Sequence, residues 1–319
     1  MMDQRHTNRG AGPAESATAA EGVATGIGAP NVRFVRNVTG FQGPESVKYD
    51  PEQDVFFVSN MTGYGSAKDG NGYISRVSAS NPDDAVVFVQ GGARGATLDA
   101  PKGMAIHGDT LWVADISVLR AFDRHSGAPL GEIDFAPHGA VQVNDVAIGP
   151  DGSIRATDTG IIMGREGVVY TGRDKIFRVG PDRAIGVAMS GPALRRPNGI
   201  VWDSTGARWL VLSFDPFAGE VAAMPADMSS RQVIRRVAGQ LDGIEILRGG
   251  TILYTSWADS SIHALAGGVD RRIIREVPVP ADLGLDTRRQ RLAIPLSMLG
   301  RVQLWDVSAV ETTSAARPD

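Results

Sequence analysis

Arg196-Pro197-Asn198-Gly199-Ile200-Val201-Trp202-Asp203, followed by Ala207-Arg208-Trp209-Leu210-Val211-Leu212, reads as a turn, a strand and a second strand. Pro and Asn punctuate the turn, and the β-branched and aromatic runs supply the strands. The phrase recurs upstream as Glu45-Ser46-Val47 with Val55-Phe56-Phe57-Val58, as Lys102-Gly103-Met104 with Leu111-Trp112-Val113, and as Asn144-Asp145-Val146 with Ile154-Arg155-Ala156. Downstream it returns as Asp242-Gly243-Ile244 with Ile252-Leu253-Tyr254, and as Ala281-Asp282-Leu283 with Arg291-Leu292-Ala293-Ile294.

Taking Glu45, Lys102, Asn144, Asn198, Asp242 and Asp282 as the shared position, the copies lie 57, 42, 54, 44 and 40 residues apart. A period of about 40–50 residues with four short strands per unit predicts a β-propeller. Third and fourth strands follow each pair, as in Tyr73-Ile74-Ser75-Arg76-Val77 and Ala85-Val86-Val87-Phe88-Val89. The sixth copy ends at Arg301-Val302-Gln303-Leu304-Trp305-Asp306-Val307 without a fourth strand, while Asn31 through Val38 form a spare strand ahead of the first copy. Pairing the two would leave no open sheet edge. The expected fold is therefore all-β, a six-bladed propeller over 31–308 closed by the N-terminal strand. Residues 1–30, rich in Ala, Gly and Thr, are expected to form a disordered tail, and 309–319 a second short one.

At 319 residues, one ring with tails accounts for the chain, and a net charge of −4 argues against nucleic acid as a partner. The chain has no cysteine, which excludes disulfides and thiolate metal sites, and no apolar run is long enough to cross a membrane. Lack of cysteine and of an apolar leader fits the cytoplasm, with an exported form left open. Oligomeric state is not readable.

The shared position precedes the first strand of each unit, the strand that lines a propeller's channel. Its six side chains are thus expected at one mouth, among the loops that leave the second strands. Clustered carboxylates there would resist ionisation unless a cation joined them. Oxygen-only donors, Asn amides beside carboxylates, suit one hard divalent ion: Ca²⁺ first, Mg²⁺ or Mn²⁺ next. Water would complete the coordination of such an ion and leave open positions of the kind a hydrolase needs. Turn chemistry alone would also place Asn and Asp before strands, and Asp282 fits that simpler account.

In these features the chain resembles the family of senescence marker protein-30, gluconolactonases and luciferin-regenerating enzymes. The resemblance rests on Glu45 in Pro-Glu-Ser, Asn144 in Asn-Asp-Val, Asn198 in Pro-Asn-Gly and Asp242 in Asp-Gly, in family order and spanning the ring. It implies a channel metal on Glu45, Asn144, Asn198 and Asp242, and hydrolysis of a small lactone or ester. Asp242 would be ligand and general base, with Asp145 orienting Asn144. Two positions depart from the pattern. Gln142 stands where family lactonases often carry a substrate-holding Arg. Lys102 brings a cation toward the mouth, where it could displace a second metal, bind a substrate carboxylate or pair with Asp282. Both residues favour an alternative, a non-catalytic propeller that binds a small molecule or protein. A further reading, metal-free condensation chemistry of the strictosidine-synthase kind, would rest on Glu45 alone. None of the five histidines falls at the shared position, and no nucleophile elbow exists.

Overall fold

Six antiparallel sheets, five of four strands and one of five, stand around a central channel in the structure, a computed structural model that describes residues 26–29, 31–83 and 85–310. Ile161–Gly164 and Gly167–Tyr170 add a two-stranded hairpin to the third blade. The first blade runs outward through Pro44–Asp50, Val55–Asn60, Tyr73–Ser78 and Ala85–Gln90. Innermost strands of the next four blades are Pro101–His107, Val143–Ile148, Pro197–Asp203 and Leu241–Ile246. The sixth blade is built from both ends of the chain. Gly284–Asp286, Arg291–Leu296 and Arg301–Asp306 are completed on the outside by Arg33–Thr39, with Phe34 opposite Trp305 and Val38 opposite Val302.

Each junction between adjacent blades holds its own apolar core, because the alternating side chains of two facing sheets interdigitate there. Between the first and second blades, Phe57 and Ile74 pack with Leu98, Met104 and Leu111. The closing junction, between the sixth and first blades, buries Val38, Val47, Phe56, Val58, Val302 and Leu304. Stability is thereby spread around the ring rather than gathered at one centre.

Two boundaries differ from the sequence expectation. Ile27–Gly28, placed in the N-terminal tail, forms a fifth, outermost strand on the fifth blade, opposite Arg275 and Ile274. Val310, placed in the C-terminal tail, is buried in the core between the fifth and sixth blades. Residues 1–25 and 311–319 of those tails lie outside the described residues.

The closing junction also carries a bidentate ion pair. Arg289 of the sixth blade donates to both carboxylate oxygens of Asp54 in the first, at 2.8 and 2.7 Å. Hydrogen bonding from Arg289 holds the Asp54 carboxyl down at about 2. An unfolded Asp titrates near 3.9. The pair therefore contributes its full stability above about pH 4 and loses it as pH falls toward about 2. Asp54→Asn should flatten the acid limb of a stability–pH curve over that window; an unchanged limb in thermal melts would contradict this.

Candidate active site

The channel-lining side chains are aimed by a repeated irregularity of the backbone. In the first five blades the innermost strand slips register against the second strand, between Pro44/Ser46, Pro101/Met104, Val143/Val146, Pro197/Ile200 and Leu241/Ile244. Such a bulge leaves a residue out of the ladder and turns its side chain. Glu45, Lys102, Asn144, Asn198 and Asp242 sit in these five bulges. Hydroxyls from the second strand satisfy the freed backbone. Ser59 Oγ accepts from Ser46 N–H at 2.9 Å, Thr157 Oγ1 from Asp145 N–H at 3.0 Å, and Thr255 Oγ1 from Gly243 N–H at 2.7 Å. Side chains at the ends of second strands clamp the incoming segments. Asp115 accepts from Ala100 N–H at 2.8 Å, and Asp158 from Val141 and Gln142 N–H, both at 2.8 Å.

The sixth copy is offset by one residue from its sequence alignment. Ala281, and not Asp282, lines the mouth together with Glu45, Asn144, Asn198 and Asp242. A one-residue shift along a strand sends the side chain to the other side. Asp282 therefore takes the place that Ser46 and Asp145 hold, one step beyond. It bridges to Ser46, whose Oγ donates to Asp282 Oδ2 at 2.6 Å, and its own N–H donates to Glu45 O at 2.9 Å. Asp145 and Asp282 line a second cavity of about 270 Å³ with Lys48 and Glu245. Asp145 does not reach the mouth: its oxygens accept from Val146 and Ile200 N–H, each at 2.7 Å, tying the third blade to the fourth. It acts on the site through the backbone, since Ile200 follows Asn198 by two residues.

At the mouth lies a cavity of about 260 Å³. Glu45, Asn144, Asn198 and Asp242 supply its polar patch, and all four are buried. Glu45 Oε2, Asn198 Oδ1 and Asp242 Oδ1 have no hydrogen-bond partner. Burial raises the Glu45 and Asp242 carboxyls well above the usual range, and mutual repulsion with neighbouring carboxylates pushes the same way. For Glu45, the Lys102 charge opposes the rise. Three buried oxygens without donors, two of them on carboxyls that resist ionisation, fit a hard divalent cation. Among the described residues no three His, Cys, Asp or Glu side chains cluster as metal ligands; the set at the mouth is two carboxylates and two amides.

Lys102 is fully buried but does not enter this cavity. Its ammonium donates to Gly65 O at 2.8 Å and Ala100 O at 3.0 Å, and it makes no pair with Asp282. Gln142, also fully buried, accepts a short hydrogen bond from Ser66 Oγ. Ser66 in turn is stapled to the long insertion of the third blade: its N–H donates to Met163 O at 3.1 Å, and its Oγ accepts from Met163 N–H at 2.9 Å. The two residues that depart from the family pattern thus anchor the first-blade loop over the mouth. Removing the ammonium leaves two carbonyls unpaired, at about 1–3 kcal/mol each. Lys102→Met should therefore accelerate proteolytic nicking near Gly65 with the ring intact; equal nicking rates would show that the loop is held by other means.

The cavity wall was not anticipated from the sequence. Met61, Ile161, Phe214, Trp257 and Met298 follow closely on the second strands of five blades, and Met163 and Val279 complete the lining. The signal was present as an apolar residue recurring just past each second strand. His263 lies in the third strand of the fifth blade, between Asp259 and Asp270 at 3.0 and 3.1 Å.

No protein-family model and no curated protein sequence matches the chain. Solved structures do. A gluconolactonase from Xanthomonas campestris superposes with a TM-score of 0.64 at 15% identity, over 93% of this chain and 98% of that one. Luciferin-regenerating enzyme superposes with a TM-score of 0.63 at 12% identity, over 86% and 94%. The six-bladed arrangement is the one those proteins share.

Proposed function

We propose that the chain is a metal-dependent hydrolase of a small lactone or related ester. The observation that supports this most is the convergence of three partnerless buried oxygens, Glu45 Oε2, Asn198 Oδ1 and Asp242 Oδ1, on one cavity. With Asn144 they would hold one divalent cation, Ca²⁺ ahead of Mg²⁺ or Mn²⁺. When bound, the cation supplies Lewis-acid polarisation of the ester carbonyl and charge stabilisation of the oxyanion. Asp242 takes the proton of the attacking water. Its carboxyl lines the same cavity as the rest of the oxygen set and is, with Glu45, one of the two acidic groups there. Asp145 positions Asn198 through Ile200 N–H and is not itself in contact with the cavity. The similarity to a gluconolactonase structure adds weight to this reaction class.

The competing reading, a binding propeller without turnover, drew its support from Lys102 and Gln142. Lys102 and the Gln142 amide oxygen are engaged in holding the first-blade loop, which weakens that support.

Elemental analysis and chelation test the proposal together. The protein should carry about one divalent ion per chain, and chelator should abolish lactone hydrolysis that Ca²⁺, Mg²⁺ or Mn²⁺ restores. Turnover untouched by chelator would defeat the metal role, and no turnover with any of the three ions would leave the binding reading.

A further inference from the structure

Each of the other polar side chains that line the mouth, Ser297, Thr159 and Trp257, already donates to a backbone carbonyl. Ser297 Oγ donates to Pro44 O at 2.6 Å. Thr159 Oγ1 donates to Gln142 O at 3.4 Å, and Trp257 Nε1 to Pro280 O at 2.9 Å. No Arg or Lys side chain lines the cavity among the described residues; the Lys102 ammonium donates to the backbone carbonyls of Gly65 and Ala100 instead. What remains is apolar. Met61, Ile161, Met163, Phe214, Trp257 and Met298 form the wall. Phe214 and Trp257 meet edge to face, with ring centres 4.9 Å apart and an interplanar angle of 85°. The apolar character continues outward, since the lining residue Met298 is 78% exposed.

A polyhydroxylated lactone placed here would bring several hydroxyls against thioethers and rings with nothing to bond them. An anionic one would meet carboxylates and no cationic side chain. Resting on the hydrolase reading above, we propose that the substrate is an uncharged lactone or ester carrying an apolar alkyl or aryl arm. The reacting carbonyl lies on the oxygen set and the arm against the methionine and aromatic wall. Flexible, polarisable methionines accommodate arms of varied shape, and the aromatic corner favours flat ones. A cavity of about 260 Å³ is at or below the small end of ligand pockets, which limits the arm to a short chain or single ring.

A homologous series separates this inference from the reaction class. The Ca²⁺-loaded full chain is assayed with γ-butyrolactone, γ-hexalactone, γ-octalactone and glucono-1,5-lactone. Each buried methylene should raise kcat/KM about fourfold, and the sugar lactone should be the poorest substrate of the series despite its greater size. Preference for the sugar lactone, or no gain with chain length, overturns the substrate class while leaving the hydrolase intact. If no lactone is cleaved, the hydrolase reading has failed. Calorimetry with the matching γ-alkyl lactams then decides the ligand class alone: affinity that climbs with chain length sustains an apolar ligand, and absent or length-independent binding overturns it.

Discussion

Asp242→Ala should lose the bound divalent ion and cut lactone hydrolysis by about 10²–10⁴-fold, the range associated with a positioned general base. It should not unfold the ring. The Asp242 carboxyl is fully desolvated and repelled by its neighbours, so in metal-free protein its removal relieves an unfavourable burial. Metal-free Asp242→Ala is therefore expected to melt at or above metal-free wild type. Added Ca²⁺ should raise the melting temperature of wild type alone, because only a state that binds the ion is stabilised by it. Asp242→Asn refines the result: it keeps an oxygen and the shape but not the charge, so weak metal binding with little turnover would separate ligation from base catalysis. An alanine variant with undiminished metal content and rate would refute both roles.

Gly199→Ala should damage the same site without touching a proposed ligand. A Cβ at this position would stand 2.2 Å from Asp242 O and 3.2 Å from both Ile244 Cγ2 and Leu212 Cδ1. The nearest obstacle is the backbone of the next blade's bulge, which cannot swing aside as a side chain would. Accommodation requires the innermost strands of the fourth and fifth blades to part, and Asn198 and Asp242 ride on those strands. Overpacking of this kind costs about 3 kcal/mol, a fall in melting temperature of roughly 5–10 °C for a chain of this size. Metal affinity should fall in parallel. A melting temperature within about 1 °C of wild type and unaltered Ca²⁺ titration would show that the junction is looser than its geometry implies.

The propeller was legible because its blades repeat in sequence, and the closing strand because Arg33–Thr39 had no partner nearby and Arg301–Asp306 had no follower. Glu45, Asn144, Asn198 and Asp242 were legible because each opens an innermost strand. The sixth copy misled for a physical reason. Its first strand is only Gly284–Asp286, with no recorded bulge, so Asp282 looked like a member of the set when Ala281 holds the place. Lys102 was ambiguous because its partners are backbone carbonyls, one of them 37 residues away in another blade's loop, and a carbonyl carries no residue-type signal. The apolar wall is assembled from single residues on separate loops. Only the folded ring brings Met61, Phe214 and Trp257 within reach of one ligand.

Closure of the ring by its two ends also sets a schedule for synthesis. Arg33 and its partner Asp306 are 273 residues apart, and at about 5–20 residues per second the ribosome needs roughly 15–55 s to deliver the second after the first. For that interval Phe34, Val35 and Val38 belong to a strand whose place in the sheet has not yet been made. Exposed strands of this kind recruit one another unless charges interrupt them, and Arg33 and Arg36 interrupt this one. In the finished protein Arg33 is a largely exposed residue with a single ion pair to Asp306 at 2.9 Å. A charge worth little on the finished surface is thus expected to matter earlier, while the nascent strand waits for its partner.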